Sequence, residues 1–230
     1  MFAVRQWSCS GLLTAVCSAT VLAFCGLSLP SHGSVDHSTM DHSAHKAPAG
    51  ALSGIVGLEV EAFQLPDQTG VQRAVPDDGV PVTVLMTQGN GCPIVRNAMP
   101  ALSEVRDAYR DRGVRFYLLN PNIQDDAESV SREMAEFGWD IPVLIDAEQT
   151  VGEMLRVTRT AEIFVIDGPS RTVKYHGPVD DRLTYQRQRA EAKYTYLEDA
   201  LDAVLAGESV PVAQVDAPGC IINFPNRKPG

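Results

Sequence analysis

Past residue 33 the chain is poor in cysteine, and that scarcity shapes everything else that can be read from it. Five cysteines are present, but Cys9, Cys17 and Cys25 fall within the first 33 residues, which leaves Cys92 and Cys220. No spaced zinc-ligand cluster, no phosphate-cradling glycine loop and no domain-sized repeat accompanies them, so any chemistry has to come from few residues. Positive charge is scarce as well: 19 Lys and Arg face 29 Asp and Glu, a formal net charge of −10. That balance makes nucleic acid and anionic membrane surfaces poor partners.

Charge is nearly absent from the first 33 residues, where Arg5 stands alone before the apolar run "GLLTAVCSATVLAFCGLSLP" and the small residues "SHG". This is the pattern of a secretory signal, with a mature chain starting near Ser34 and residing in a periplasm or outside the cell. An uncleaved anchor, and with it membrane association, is the alternative, because the run approaches spanning length. A lipid anchor at Cys25 is disfavoured by the bulky Phe24 before it. Loss of Arg5 with the leader would take the mature charge to about −11. In an oxidising compartment Cys92 and Cys220 can pair, either as a staple or as a working redox couple.

Residues 34–53 are small, polar and histidine-rich and read as a flexible linker. Within them "DHSTMDHSAH" supplies His37, Met40, His42 and His45. Imidazole and thioether suit copper better than magnesium or calcium, and the tract resembles the His/Met-rich tails of bacterial copper-handling proteins. A polar linker with incidental histidines fits the same composition.

From residue 54 the pattern becomes that of a packed domain extending to about 206, followed by a C-terminal tail over 207–230. "IVGLEVEAFQL" predicts a strand and "PVTVLMTQ" a buried central one. Apolar positions at helical spacing predict a helix over 93–112 with a kink at Pro100. Strands at "VRFYLLN", "IPVLID", "AEIFVID" and "TVKYHG" follow, with an Asp-capped helix at "DDAESVSREMAEFG", a short one at "EQTVGEMLRV" and a long amphipathic one over 187–206. Alternating strands and helices predict an α/β fold with a central, mostly parallel sheet, helices on both faces and an antiparallel edge hairpin. His176, in "KYHG", reads as an edge-strand residue rather than a ligand.

Cys92 lies between the central strand and the helix, where unpaired backbone N–H groups and the positive end of the helix dipole favour thiolate. Pro93 suits the first helical turn, Gly89 and Gly91 allow the sharp loop, and Arg96 one turn on would add to the anion's stability. Cys92 is therefore a candidate nucleophile toward a disulfide or a peroxide, the alternative being a buried inert thiol.

Together "GCPIVR", "IPVLID", "TRTAEIFVID" and "VKYHGPVDDR" resemble a redoxin of the thioredoxin and peroxiredoxin superfamily over residues 55–206. The resemblance implies a thioredoxin-like fold, thiol-disulfide or peroxide chemistry without an organic cofactor, Cys92 as the attacking cysteine and the loop before "EIFVID" beside it. Protein thiols, disulfides or peroxides are the implied substrates, with a periplasmic electron donor. Arg159 and Glu162 flank that loop and are expected to stabilise the thiolate and handle protons, unless they are simply a solvated pair. Three positions depart from the family pattern. Val95 stands where thioredoxins have a second cysteine, Gly89 where peroxiredoxins have a threonine, and Ala161 where the family has a cis-proline, so a trans bond is expected there. The related copper chaperones carry a second cysteine where this chain has Arg96. Cys220, in "DAPGCIINF", is then the expected partner thiol, carried by a flexible tail back over the sheet. As a permanent staple instead, the bond would stabilise the fold by about 4 to 5 kcal/mol. Pairing with another chain is a third outcome. A further reading is a non-catalytic binding protein with a structural disulfide and a copper-binding tract.

Overall fold

A computed structural model describes residues 54–227 apart from Asp78, so the expected leader over 1–33 and the histidine-methionine tract lie outside the described residues. Among those described, seven strands and four α-helices follow one another: β1 Phe63–Pro66, β2 Gln72–Val75, β3 Val82–Thr87, α1 Pro93–Tyr109, β4 Val114–Asn120, α2 Ala127–Phe137, β5 Val143–Ile145, α3 Thr150–Met154, β6 Ile163–Asp167, β7 Thr172–Gly177 and α4 Tyr196–Ala206. Among the same residues, no helix is long and apolar enough to cross a membrane.

Strand β3 is buried at every position, as its β-branched run requires, and it takes the centre of a five-stranded sheet of order β5-β4-β3-β6-β7. Its pairing with β4, and β4 with β5, is parallel; β6 and β7 run antiparallel as the expected hairpin. The two faces carry separate apolar cores. One joins α1 and α4 to Val84, Met86, Phe116 and Ile163; the other collects Leu85, Leu119, Phe164, α3 and the residues of the 54–60 segment. A fully buried side chain of this size contributes about 1.5 to 3 kcal/mol, so the sandwiching of β3 dominates the local energetics.

Several expectations need correction. No strand forms at Ile55: Gly57, at φ +86°, breaks the pleat, and the segment lies along β7 through bonds such as Gly57 N–H to the Val173 carbonyl at 2.8 Å. The alternation there still serves burial, since Ile55 and Val60 are inside. The last three residues of the expected strand, Phe63 to Leu65, do form one, β1, which pairs with β2 in a hairpin whose turn is fastened by the Asp67 carboxylate, accepting from the Thr69 and Val71 amides and from Arg73. The last helix starts only at Tyr196. Before it, Asp181 accepts from the Lys193 and Tyr194 amides at 2.7 and 3.1 Å and pairs with Arg189, which holds the chain in a loop despite its good helix formers. Helix α1 runs unbroken through Pro100, and α2 has the anticipated cap, a reciprocal Asp126–Ser129 box.

The C-terminal tail is docked along its described length rather than flexible. Val215 N–H bonds the His176 carbonyl at 3.0 Å, Ile222 enters the second core, the Phe224 ring packs against Gly152, and Arg227 bonds Glu153 and the Val157 carbonyl. This covering buries His176 of edge strand β7 against Phe164, ring centroids 4.7 Å apart, with neither ring nitrogen hydrogen-bonded.

Burial lowers the His176 pKa to about 4 from 6.5, with Asp216 opposing it electrostatically. An unfolded chain therefore takes up this proton at higher pH than the folded one. Stability is expected to fall as pH drops from 6.5 towards 4, by at most about 1.4 kcal/mol per unit from this group. In His176→Leu the difference between urea midpoints at pH 7 and pH 5 should shrink; an unaltered difference would clear His176 of that role.

Candidate functional site

At the carboxyl end of β3 the chain turns through residues 88–91 into α1, and Cys92 occupies the N-cap with Pro93 at the first helical position. No acidic residue lies in the helix's first turn to oppose an anion there. The turn is built on a buried polar network. Glu133 of α2 accepts from the Gly91 amide at 3.0 Å, from Gln88 and from Arg96 at 2.8 and 3.0 Å, while Asn120 donates to Gln88 and to Asp125, and Asp125 in turn takes the Asn90 amide. Few of these groups reach water, so each needs its partner, and the loop that presents Cys92 is held rigidly.

Facing it is the bend 158–162. Thr87 stitches this bend to β3: its hydroxyl donates to the Arg159 carbonyl and accepts from the Glu162 amide, and its own carbonyl takes the Ala161 amide at 2.7 Å. The Thr160–Ala161 peptide is trans, and Ala161 sits at φ +60°, a left-handed conformation that costs a non-glycine residue about 1 kcal/mol or more. Such strain is tolerated where the surroundings over-determine it, as the Thr87 bonds do here.

The tail brings Cys220 to the same point. It runs antiparallel to the bend, with Thr160 N–H to the Cys220 carbonyl at 2.9 Å and Ile222 N–H to the Thr158 carbonyl at 3.1 Å. Gly219 makes the approach feasible: a β-carbon there would lie 1.9 Å from the Thr160 carbonyl oxygen. Outside the turn, the Tyr185 phenol donates to the Gly219 carbonyl and accepts from the Gly219 amide and from Arg159. The result is two sulfurs 2.6 Å apart, closer than van der Waals contact and within reach of bonding, 128 positions distant in sequence. Cys92 is buried, 4 % exposed, and Cys220 is partly open.

The pair is electrostatically asymmetric. Burial alone would raise the Cys92 pKa, but hydrogen bonding with Cys220, the Thr160 hydroxyl at 3.0 Å and the Val95 and Cys220 amides together bring it below the ordinary thiol value. The Val95 amide contributes from the first turn without closing a full cap hydrogen bond. Burial and the neighbouring Cys92 push Cys220 up to about 11, Thr160 notwithstanding. One sulfur is thus set to be the anion and the other to keep its proton.

Cys92 and Cys220 meet, and the other residues singled out from sequence are engaged elsewhere. Arg96 pairs with Glu133 and lies over the Phe137 ring at 4.3 Å. Arg159 is tied to Tyr185. Glu162 binds the Thr158 hydroxyl and amide at 2.5 and 3.1 Å; its burial raises the carboxyl pKa despite those bonds. The thiolate is therefore served by backbone amides and hydroxyl rather than by the charged side chains expected for it. His37, Met40, His42 and His45 lie outside the described residues, and among those described no three His, Cys, Asp or Glu side chains converge as a metal site. Thr160, Glu133, Gln88 and Asn120 escaped the sequence reading; only the position of Thr160, just before Ala161 in the expected loop, offered a signal. A cleft of about 240 Å³ lies along α1, lined by Ile94, Ala98, Ala101, Ala161, Leu183 and Pro218 among others; neither cysteine lines it.

Comparison with known proteins agrees with the fold. The Redoxin family model matches residues 55–194. A hypothetical protein from Sinorhizobium meliloti 1021 is 28 % identical at a TM-score of 0.66, covering 75 % of this chain and 96 % of its own. An uncharacterised conserved protein from Geobacillus kaustophilus is 25 % identical at the same TM-score, covering 75 % and 94 %. A candidate thiol:disulfide interchange protein from Chlorobium tepidum shares the fold at 19 % identity and a TM-score of 0.52, covering 65 % and 97 %. No curated protein matches.

The contact at Gly219 yields a direct expectation. Gly219→Ala should displace the turn and lower the equilibrium preference for the Cys92–Cys220 disulfide over glutathione mixed disulfides by about tenfold or more, as the effective concentration of the partner thiol falls. Thiol trapping and mass spectrometry across a glutathione series would measure it; an unchanged preference would show that the close approach is dispensable.

Proposed function

The chain belongs to the Redoxin family, and from that premise we propose that it is a thiol-disulfide oxidoreductase working through Cys92 and Cys220. The observation that carries this reading is the approach of the Cys92 and Cys220 sulfurs to within bonding reach, with the pKa of Cys92 lowered and that of Cys220 raised.

The Cys92 thiolate attacks one sulfur of a substrate disulfide, forming a mixed disulfide and releasing the other substrate sulfur as thiolate. Cys220, giving up its proton to that leaving thiolate or to solvent, then attacks the Cys92 sulfur. The Cys92–Cys220 bond forms, the mixed disulfide breaks, and the second substrate sulfur departs reduced. Two electrons pass from the protein to the substrate, and an external dithiol protein must return them. Cys220 takes over the task of the local second cysteine, whose place Val95 fills.

Peroxide fits less well as substrate. A threonine at Gly89 could not be accommodated, since a β-carbon there would lie 2.4 Å from Asn122 Nδ2 and 3.1 Å from the Thr160 methyl. The leader over residues 1–33 supports placing the reaction in an exported, periplasmic setting, where protein disulfides are abundant.

With a protein disulfide substrate and a dithiol donor, Cys92→Ser should abolish turnover, while Cys220→Ser should stall as a mixed disulfide detectable by non-reducing electrophoresis. Turnover surviving in Cys92→Ser would overturn the reading, as would a Cys92–Cys220 bond that resists the donor altogether.

A further inference from the structure

Among the described residues, Thr160 is the side chain that touches both halves of the thiol pair. Its hydroxyl oxygen accepts the Cys220 amide proton at 2.9 Å and stands 3.0 Å from the Cys92 sulfur, while its own amide donates to the Cys220 carbonyl at 2.9 Å. A hydroxyl has one proton. With its oxygen facing the Cys220 N–H, that proton is left for sulfur, and Cys92 Sγ at 3.0 Å is the contact within reach, shared with the Cys220 thiol that also touches the hydroxyl.

We propose that Thr160 couples docking of the tail to ionisation of Cys92: the hydroxyl is aimed at the sulfur only while the Cys220 peptide occupies its oxygen. When the tail lifts, the amide that fixes the rotor leaves with it, and Cys92 loses a donor that stabilises its anion. The nucleophile is then most reactive when its resolving partner is already in place, which guards against a mixed disulfide that cannot be released. This rests on the reading of Cys92 as the working nucleophile.

The surrounding charges are spoken for, so the hydroxyl is not competing with an ion pair on the sulfur. On α1, Arg96 is bound to Glu133 of α2, which also holds the Gly91 amide; in the bend, Arg159 is bound to Tyr185 and Glu162 to Thr158. Across the cleft Asp180 pairs with Arg182 and Asp181 with Arg189, and on the tail Asp216 acts on His176. Cys220 remains as the other titrating group, and a Cys220→Ala background removes its thiol while keeping the amide that the proposal needs.

In that background, the pH profile of Cys92 alkylation by iodoacetamide, read on the full chain by peptide mass spectrometry, tests the idea without any turnover assay. Thr160→Val is expected to move the midpoint up by about one pH unit, roughly a tenfold loss of rate at neutral pH, and Thr160→Ser to restore it. Gly219→Ala should raise the midpoint when Thr160 is present and raise it by distinctly less when combined with Thr160→Val, where only the direct Cys220 amide contribution is left to lose. A Thr160→Val profile superimposed on that of its parent would overturn the proposal, and so would a Gly219→Ala shift of equal size in both backgrounds. If Thr160→Val fails to fold, the Gly219→Ala shift with Thr160 intact still decides: no shift refutes the coupling. Loss of turnover in Cys92→Ser tests the proposed function separately, so the two can fail independently.

Discussion

The site depends on one close approach of backbone to backbone, the tail at Gly219 against the bend at Thr160. Two segments held by the bonds on either side of Cys220 can bring two sulfurs together more reproducibly than long side chains could, because main-chain groups carry no rotamer entropy of their own. Closing a loop of this length is costly in the unfolded chain but grows only slowly with each added residue. The docking of Ile222, Phe224 and Arg227 offsets that cost without any covalent link.

Around that contact, the protein separates the tasks of holding and reacting. Charged groups do the holding: Glu133 clamps Arg96 and the Gly91 amide, Arg159 braces Tyr185 against the turn, and Glu162 locks Thr158. Neutral donors do the electrostatic work on sulfur. In a buried setting this division is economical, since an amide or hydroxyl carries no net charge to desolvate, whereas a buried guanidinium beside a thiolate would lose much of its attraction to the expense of leaving water. The positive φ of Ala161 belongs to the same arrangement, a small strain accepted so that Thr160 and its neighbours face the sulfur and not the sheet.

The legibility of these features in the sequence follows the range of the physics behind them. Strand β3, helix α1, the Asp126 cap and the β6–β7 hairpin are products of local pattern, and each is where periodicity and capping put it. The failures are local signals overruled by contacts elsewhere. Helix formers over 187–195 lose to Asp181, which offers their amides a better acceptor, and the alternation after Ile55 is spent on burial against β7 without a ladder. Arg96 was near enough in sequence to suggest a role at the thiolate, yet a carboxylate on a different helix claims it.

Sequence alone determined that Cys92 begins a helix behind a buried strand, because strand, turn and helix signals act over a few residues, and that Cys220 is the one other cysteine past residue 33. Only the folded chain decided that the two sulfurs meet, that Thr160 touches both cysteines and that Glu133 supports the loop beneath. Those outcomes depend on segments tens of residues apart being brought to hydrogen-bonding distance, and hydrogen bonds made across a core leave no periodic trace in the residues that make them.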